Sequence, residues 1–310
     1  SNRGASWTFQ SIAQNPPGPL FHHALNRTTV FVVYTAPLDP LEQRYIKIAQ
    51  TRNGGLNWGT ATFDLSDDND EQDYKCGGSN FLQCTPLAFD ALDDMTFFLA
   101  YRGREGMLKL AQSIDGGAHW QLVSTIGSYA FYVSGQRFSL EVLDRQTIFI
   151  TFSDDATKRP VFLRSDNGGV SWQNLFIQET VDRSYTWWQA PSLFVFNKTT
   201  IFLGYRRDKE VNGVYASKEL RVASTHNGGL RWSLFDLNSA VDPTLQPGFF
   251  TFSGLNDNLL VGTFTLFDSV RQTDELYVTF STNGGNSWSA KQLVDKPYGG
   301  PYSITFFDVD

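Results

Sequence analysis

Apolar and polar positions along this chain come in short packets rather than long stripes. Five stiff runs of β-branched and aromatic residues, Val30 to Tyr34, Thr96 to Tyr101, Thr147 to Phe152, Thr200 to Tyr205 and Leu259 to Phe264, each follow a polar turn. Ahead of that turn lies a shorter apolar segment, such as Pro86 to Ala91, Phe138 to Leu143 or Pro191 to Phe196. Packets of this length, bounded by Gly, Asn, Asp and Ser, read as strands, because branched and aromatic side chains fit a pleated, half-buried surface. No segment of useful length has the 3.6-residue period of an amphipathic helix.

Each packet leads through a third strand into an octet of the form Ser/Thr-x-Asp/Asn-x-Gly-x-x-Trp. Its copies are Thr51 to Trp58, Ser113 to Trp120, Ser165 to Trp172, Thr225 to Trp232 and Ser281 to Trp288, and a partial copy, Asn2 to Trp7, opens the chain. Asn53, Asp115, Asn167, Asn227 and Asn283 fill the acidic position, and Trp58, Trp120, Trp172, Trp232 and Trp288 close the octets. A side-chain carbonyl there accepts hydrogen bonds from backbone N–H groups two or three residues on, and paired glycines reach positive φ without a Cβ penalty. The octet is therefore expected to be a tight hairpin whose Trp, on the next strand, packs under the neighbouring repeat and gives its indole N–H to a carbonyl. One octet per repeat is what a fold-forming staple needs, so its role is read as structural. Outer strands follow it at Ala61 to Leu65, Gln121 to Ser124 and Gln173 to Ile177.

Successive Trp residues, 7, 58, 120, 172, 232 and 288, stand 51, 62, 52, 60 and 56 positions apart, room for four short strands and their turns. Four antiparallel strands per repeat, arranged radially, make a propeller blade. The chain opens with an outer strand, Ser6 to Ile12, passes through five complete blades and closes on an inner strand, Pro301 to Val309. The expectation is an all-β, six-bladed β-propeller in which both ends share an incomplete closing blade. Residues 1–310 then form a single domain, cut from a longer secreted polypeptide.

Composition narrows the context. The formal net charge is −7 and no basic stripe is present, which argues against a nucleic-acid surface. No apolar run is long enough to cross a membrane, and the N-terminus lacks the apolar core of a signal peptide. Cys76 and Cys84, the only cysteines, bracket a short glycine-rich loop that closes readily as a disulfide; metal binding is the weaker alternative, with no His nearby. Asn26-Arg27-Thr28 and Asn197-Lys198-Thr199 are glycosylation sequons at the same place in their repeats. These features together point to an extracellular or cell-surface glycoprotein without cofactor or metal. The acidic stretch Ser66 to Glu71 is read as a solvated loop rather than a calcium site.

The octets resemble the Asp-boxes of the sialidase superfamily, blade by blade over nearly the whole chain. Asp-boxes also occur in other secreted propellers, so the resemblance implies architecture more than activity. In sialidases it implies three arginines that hold the substrate carboxylate, an acid/base Asp, and a nucleophilic Tyr paired with a Glu. Tyr302, in Gly300-Pro301-Tyr302-Ser303-Ile304, resembles the nucleophile; Arg206 the second arginine; Arg271 the third; and Asp39 the acid/base. The Arg-Ile-Pro motif of the first arginine is absent, its place taken by Leu20-Phe21-His22-His23-Ala24-Leu25. No acid stands around Gln189-Ala190-Pro191-Ser192, where the Glu belongs. A tyrosine without that carboxylate is a poor nucleophile at neutral pH, since a free phenol ionises near pH ~10.

Each of these residues also has a plainer role: Tyr302 as channel filler, Arg206 as a solvated strand end, Arg271 as a surface loop residue. His22 and His23 alternate across a strand, so one of them lines the central pocket, and His22 is the candidate cation for the missing arginine. Trp187 and Trp188 either stack on a sugar ring or pack against a blade. With two of six functional groups missing, the reading is a non-catalytic sialidase-like module whose partners are glycans or neighbouring extracellular chains. The alternative is an active exo-sialidase-like glycoside hydrolase with a modified site, in which Glu42 or Glu210 supplies the acid.

Overall fold

The five β-branched and aromatic runs are the second strands of five antiparallel sheets. The computed structural model describes residues 21–37, 44–63, 85–102, 107–128, 138–154, 159–175, 177, 185–186, 191–211, 214–237, 246–268 and 273–296. The first sheet holds β1 (Phe21–Ala24), β2 (Val30–Pro37), β3 (Arg44–Thr51) and β4 (Gly59–Thr62). The second holds β5 (Thr85–Ala91), β6 (Phe97–Arg102), β7 (Met107–Ser113) and β8 (Gln121–Ser128), and the third β9 (Ser139–Val142), β10 (Ile148–Asp154), β11 (Arg159–Ser165) and β12 (Gln173–Asn174). The fourth adds a short β13 (Tyr185–Thr186) to β14 (Ser192–Val195), β15 (Ile201–Val211), β16 (Val214–Thr225) and β17 (Ser233–Asp236). The fifth holds β18 (Gln246–Gly254), β19 (Leu260–Asp268), β20 (Thr273–Ser281) and β21 (Ser289–Lys296).

First strands of successive sheets lie side by side, β1 by β5, β5 by β9, β9 by β14 and β14 by β18, which sets the sheets out radially. The fold is a β-propeller with four antiparallel strands per blade, and five blades fall within the described residues. The expected closing blade, built from Ser6 to Ile12 and Pro301 to Val309, lies outside them.

Both faces of a second strand are buried, which is why these strands read as continuous apolar runs rather than as an alternation. In β6, Phe97, Leu99 and Tyr101 join Phe31, Val33 and Ile48 of blade one, while Phe98 and Ala100 join Ile148, Ile150 and Phe152 of blade three. Blade-to-blade contact, not the single sheet, is thus the unit of core. Trp120, Trp172, Trp232 and Trp288 seal these contacts from the preceding-blade side: Trp120 is 2% exposed and meets Phe63 edge-on at 5.1 Å. Burying such a ring is worth about 4–6 kcal/mol at most by area.

The octets form the expected hairpins, with one correction to their wiring. The Asp/Asn oxygen reaches an N–H four residues on rather than two or three, as in Asn57 N to Asn53 Oδ1 at 2.9 Å and Ser287 N to Asn283 Oδ1 at 3.0 Å. The Ser/Thr hydroxyl is the hub. Ser165 Oγ donates to Asn167 Oδ1 at 2.9 Å and accepts from Gly169 N at 2.8 Å, and the same pair of bonds recurs at Thr51, Ser113, Thr225 and Ser281. The indole N–H groups of Trp120 and Trp288 bond the carbonyls of Gly117 and Gly285 in their own octets, whereas Trp172 reaches Ser124 Oγ of blade two at 3.2 Å. β15 also runs through Val211, so Arg206 sits mid-strand rather than at a strand end.

Candidate functional site

Because first strands line the propeller axis, side chains at one register position on successive first strands converge there. That position, two residues before the turn into the second strand, is His23 opposite Phe31, Asp90 opposite Phe98, Glu141 opposite Phe149, Phe194 opposite Phe202 and Ser253 opposite Val261. Among the described residues of these five strands, His22, His23, Asp90 and Glu141 are the ionisable side chains. Among the described residues, the ionisable part of the ring therefore belongs to blades one to three.

Asp90 is the centre of it. Its Oδ1 receives His23 Nδ1 at 2.9 Å and the N–H of Ala91 at 2.9 Å, and its Oδ2 receives the N–H of Val142 at 2.6 Å. One carboxylate, 5% exposed, thereby ties blades one, two and three together. Glu141 is half-buried beside it. Burial, and then the negative charge of Asp90, push its carboxyl well above the usual range. Chemically, Asp90 is a committed acceptor, and Glu141 is a carboxyl whose surroundings favour keeping its proton. His23, with 28% of its side chain exposed, opens the cluster to solvent.

A second polar cluster lies toward the opposite, far end of blade four. Arg207 Nε and Nη2 both donate to Glu219 Oε2, at 2.7 and 2.6 Å, and Arg221 Nη2 donates to the same oxygen at 3.1 Å. The Arg207 side chain is 8% exposed. A planar guanidinium sharing a carboxylate in this way is a structural ion pair, with Glu219 consumed by two cations. Alternation turns Arg206 to the other face, toward blade five, with Leu220 as its cross-strand partner. On blade five, Tyr277 stacks on Phe264 at 5.3 Å and donates its hydroxyl to Glu275 Oε2 at 2.9 Å, with Glu275 5% exposed.

Of the residues singled out from sequence, Arg206 and His22 are described, and the structure does not bring them together. His22 is exposed, while its neighbour His23 makes the axial contact. Tyr302, Asp39, Arg271, Trp187, Trp188, Cys76 and Cys84 lie outside the described residues. Asn26 and Asn197 sit in turns between first and second strands. Among the described residues, no three His, Cys, Asp or Glu side chains are arranged to hold a metal ion. Sequence reasoning missed Asp90 and Glu141; the signal was an acid inside an otherwise apolar first strand, in Leu87-Ala88-Phe89-Asp90-Ala91 and Phe138-Ser139-Leu140-Glu141-Val142.

No protein-family model matches the chain, and no curated protein matches it. Solved structures do. The chain is similar to the GH74 xyloglucanase from Xanthomonas campestris, with a TM-score of 0.52 and 18% identity, over 86% of this chain and 36% of that one. It is similar to Penicillium chrysogenum α-L-arabinanase complexed with arabinobiose, with a TM-score of 0.50 and 14% identity over 89% and 93%. A PL25 ulvan lyase gives a TM-score of 0.53 and 9% identity over 94% and 72%. At these identities the likeness shows the fold alone. The chain spans just over a third of the xyloglucanase.

Proposed function

We propose that this propeller is a non-catalytic glycan-recognition module of a larger extracellular glycoprotein, of the sialidase-like type with a sixth blade closed by both chain ends. The axial cluster carries the reading. Its described strands present His23, Asp90 and Glu141 and no arginine or tyrosine, and the Asp90 carboxylate is already taken up in joining three blades. Such groups suit sugar hydroxyls, which both donate and accept. Among the described first-strand residues no arginine or lysine offers an anionic sugar a clamp, so neutral glycans are the expected ligands. The similar folds include one protein named for xyloglucan and one complexed with arabinobiose, which supports glycans as the ligand class.

The test is direct. The intact chain is screened against neutral and sialylated oligosaccharides, and incubated with a sialic-acid reporter glycoside. Binding to neutral glycans without turnover is expected. Sustained release of the reporter refutes the proposal.

One observation favours a second reading. Glu141 is a carboxyl pushed well above its usual range by burial and by the neighbouring Asp90, which is the kind of group general-acid catalysis uses. In a glycoside hydrolase built on it, Glu141 protonates the departing oxygen, and Glu141→Gln abolishes turnover in a folded protein. Turnover that survives Glu141→Gln removes that role.

A further inference from the structure

The turns between first and second strands are built alike in all five blades, and two of them carry more than the turn requires. In each, the first polar side chain caps the turn: Asn26 Oδ1 accepts from Thr28 N at 2.9 Å and Thr29 N at 2.8 Å, and Asn197 Oδ1 from Thr199 N at 2.9 Å and Thr200 N at 2.8 Å. Asp93, Asp144 and Asn256 make the same pair of bonds in blades two, three and five. The residue two places on is Met95, Gln146 or Asn258 in those blades, so a hydroxyl there is not needed to form the turn. Only blades one and four combine the asparagine with a threonine. Thr28 Oγ1 and Thr199 Oγ1 donate to the asparagine oxygens at 2.9 and 2.8 Å.

The remaining amide atoms are left available. Asn167 and Asn283, in the octets, use Nδ2 to reach Ser171 and Ser287 at 2.8 Å. Asn26 Nδ2 and Asn197 Nδ2 donate to no other described residue. Beside each of these turns stands the octet of the same blade, held by Gly54 N to Thr28 O and Gly228 N to Thr199 O, both at 2.9 Å. The octet tips there are Leu56 and Leu230, 75% and 71% exposed. Blades two and five, which lack the motif, carry Ala118 and Asn286 at that tip, and blade three the smaller Val170.

We infer that Asn26 and Asn197 are attachment sites for N-linked glycans, and that the attached sugars cover Leu56 and Leu230. In the reaction, Asn Nδ2 bonds to the anomeric carbon of an oligosaccharide carried on a lipid diphosphate. The anomeric C–O bond breaks with the diphosphate as leaving group, and Nδ2 gives up one proton. The glycans stand on the octet face of blades one and four and leave the opposite face clear. This inference goes beyond glycan recognition, since here the chain carries sugar; it rests only on passage through a secretory pathway.

The experiment is secretion of the full chain from a eukaryotic host, followed by peptide N-glycosidase under native conditions and intact mass measurement. Two glycans are expected. Asn26→Asp and Asn197→Asp are each expected to remove one; aspartate already caps this turn in blades two and three, so folding is retained. Thr28→Ala and Thr199→Ala, which keep the cap and break the motif, are expected to do the same. Binding of a hydrophobic dye is expected to rise on glycan removal and to fall back in Leu56→Ser/Leu230→Ser. A secreted parent chain with the mass of the bare polypeptide overturns the assignment, a single glycan overturns it at the other site, and unchanged dye binding overturns the covering role.

Discussion

Replacing Gly169 by alanine adds one methyl where both the backbone and the adjoining blade resist it. Gly169 is the second glycine of the blade-three octet and holds φ at 91°. An L side chain in left-handed backbone costs about 1–2 kcal/mol. The new Cβ would stand 2.6 Å from Leu110 Cδ2 and 3.2 Å from Val123 Cγ1, both in blade two. Forcing a methyl into a packed core costs about 1–3 kcal/mol more, giving a total of about 2–5 kcal/mol. Gly54 supplies the control: φ is 68° and the nearest atom to an added Cβ is Arg27 O at 3.8 Å, so Gly54→Ala bears the conformational cost alone. The assay is urea unfolding of both variants and the parent, followed by tryptophan fluorescence and compared at unchanged m-value. A midpoint for Gly169→Ala no lower than that for Gly54→Ala refutes the claim that the octet's second glycine is required by blade packing.

Three further outcomes follow from the polar contacts. Asp90→Ala strands the N–H groups of Ala91 and Val142 and the partner of His23, so a loss of about 3–5 kcal/mol is expected in the same assay, with Asp90→Asn intermediate. Asp115 is held at about 2 by the backbone and ring N–H groups of His119 and by Ser113, and Asp144 at about 2 because Lys198 and the Gln146 and Thr147 N–H groups outweigh the upward pull of burial. Folded pKa values below the unfolded one mean stability is complete above about pH 4 and declines toward pH 2. Both carboxylates are solvent-exposed, so Asp115→Asn and Asp144→Asn should each flatten that acid limb only slightly; a parent whose urea midpoint is flat from pH 5 to about 2 would sink this account. Glu141 titrates in the opposite sense. Its folded pKa is raised, so stability falls as pH rises past about 4.5, and Glu141→Gln is expected to remove that decline and to be no less stable than the parent at pH 7.

The blades were legible because a second strand buried on both faces leaves an apolar run, and because the octet repeats once per blade. Strand ends were less legible: β15 continues from Tyr205 to Val211 through Arg206, Arg207, Asp208, Lys209 and Glu210, a stretch whose charges read as loop. Those charges persist in a strand because Glu219 on β16 stands opposite Arg207 and neutralises it. The site was the least legible part. A resemblance directs attention to arginines and a tyrosine, whereas the axial groups, Asp90 and Glu141, sit inside apolar words and interact across 51 residues of sequence. Only the register of separate blades brings them together.

That register also explains why the axis is polar on one side. At the same position on successive first strands, Asp90 extends its carboxylate to the N–H of Val142 in blade three, and Phe194 extends its ring over Gly254 in blade five. A Cβ on Gly254 would lie 2.3 Å from Phe194 Cε1, so this glycine is what admits the ring. Blades one to three are joined at the axis by charge and hydrogen bonds, and blades four and five by an aromatic ring against backbone. The apolar clasp offers a ligand nothing to hydrogen-bond. Beside it, the polar clasp sets His23 and Glu141 next to the carboxylate of Asp90. Among the described residues the axis therefore carries hydrogen-bonding groups on one side and a hydrophobic surface on the other; under the proposed glycan recognition these match a sugar ring, whose hydroxyls lie at its edge and whose C–H groups lie on its face.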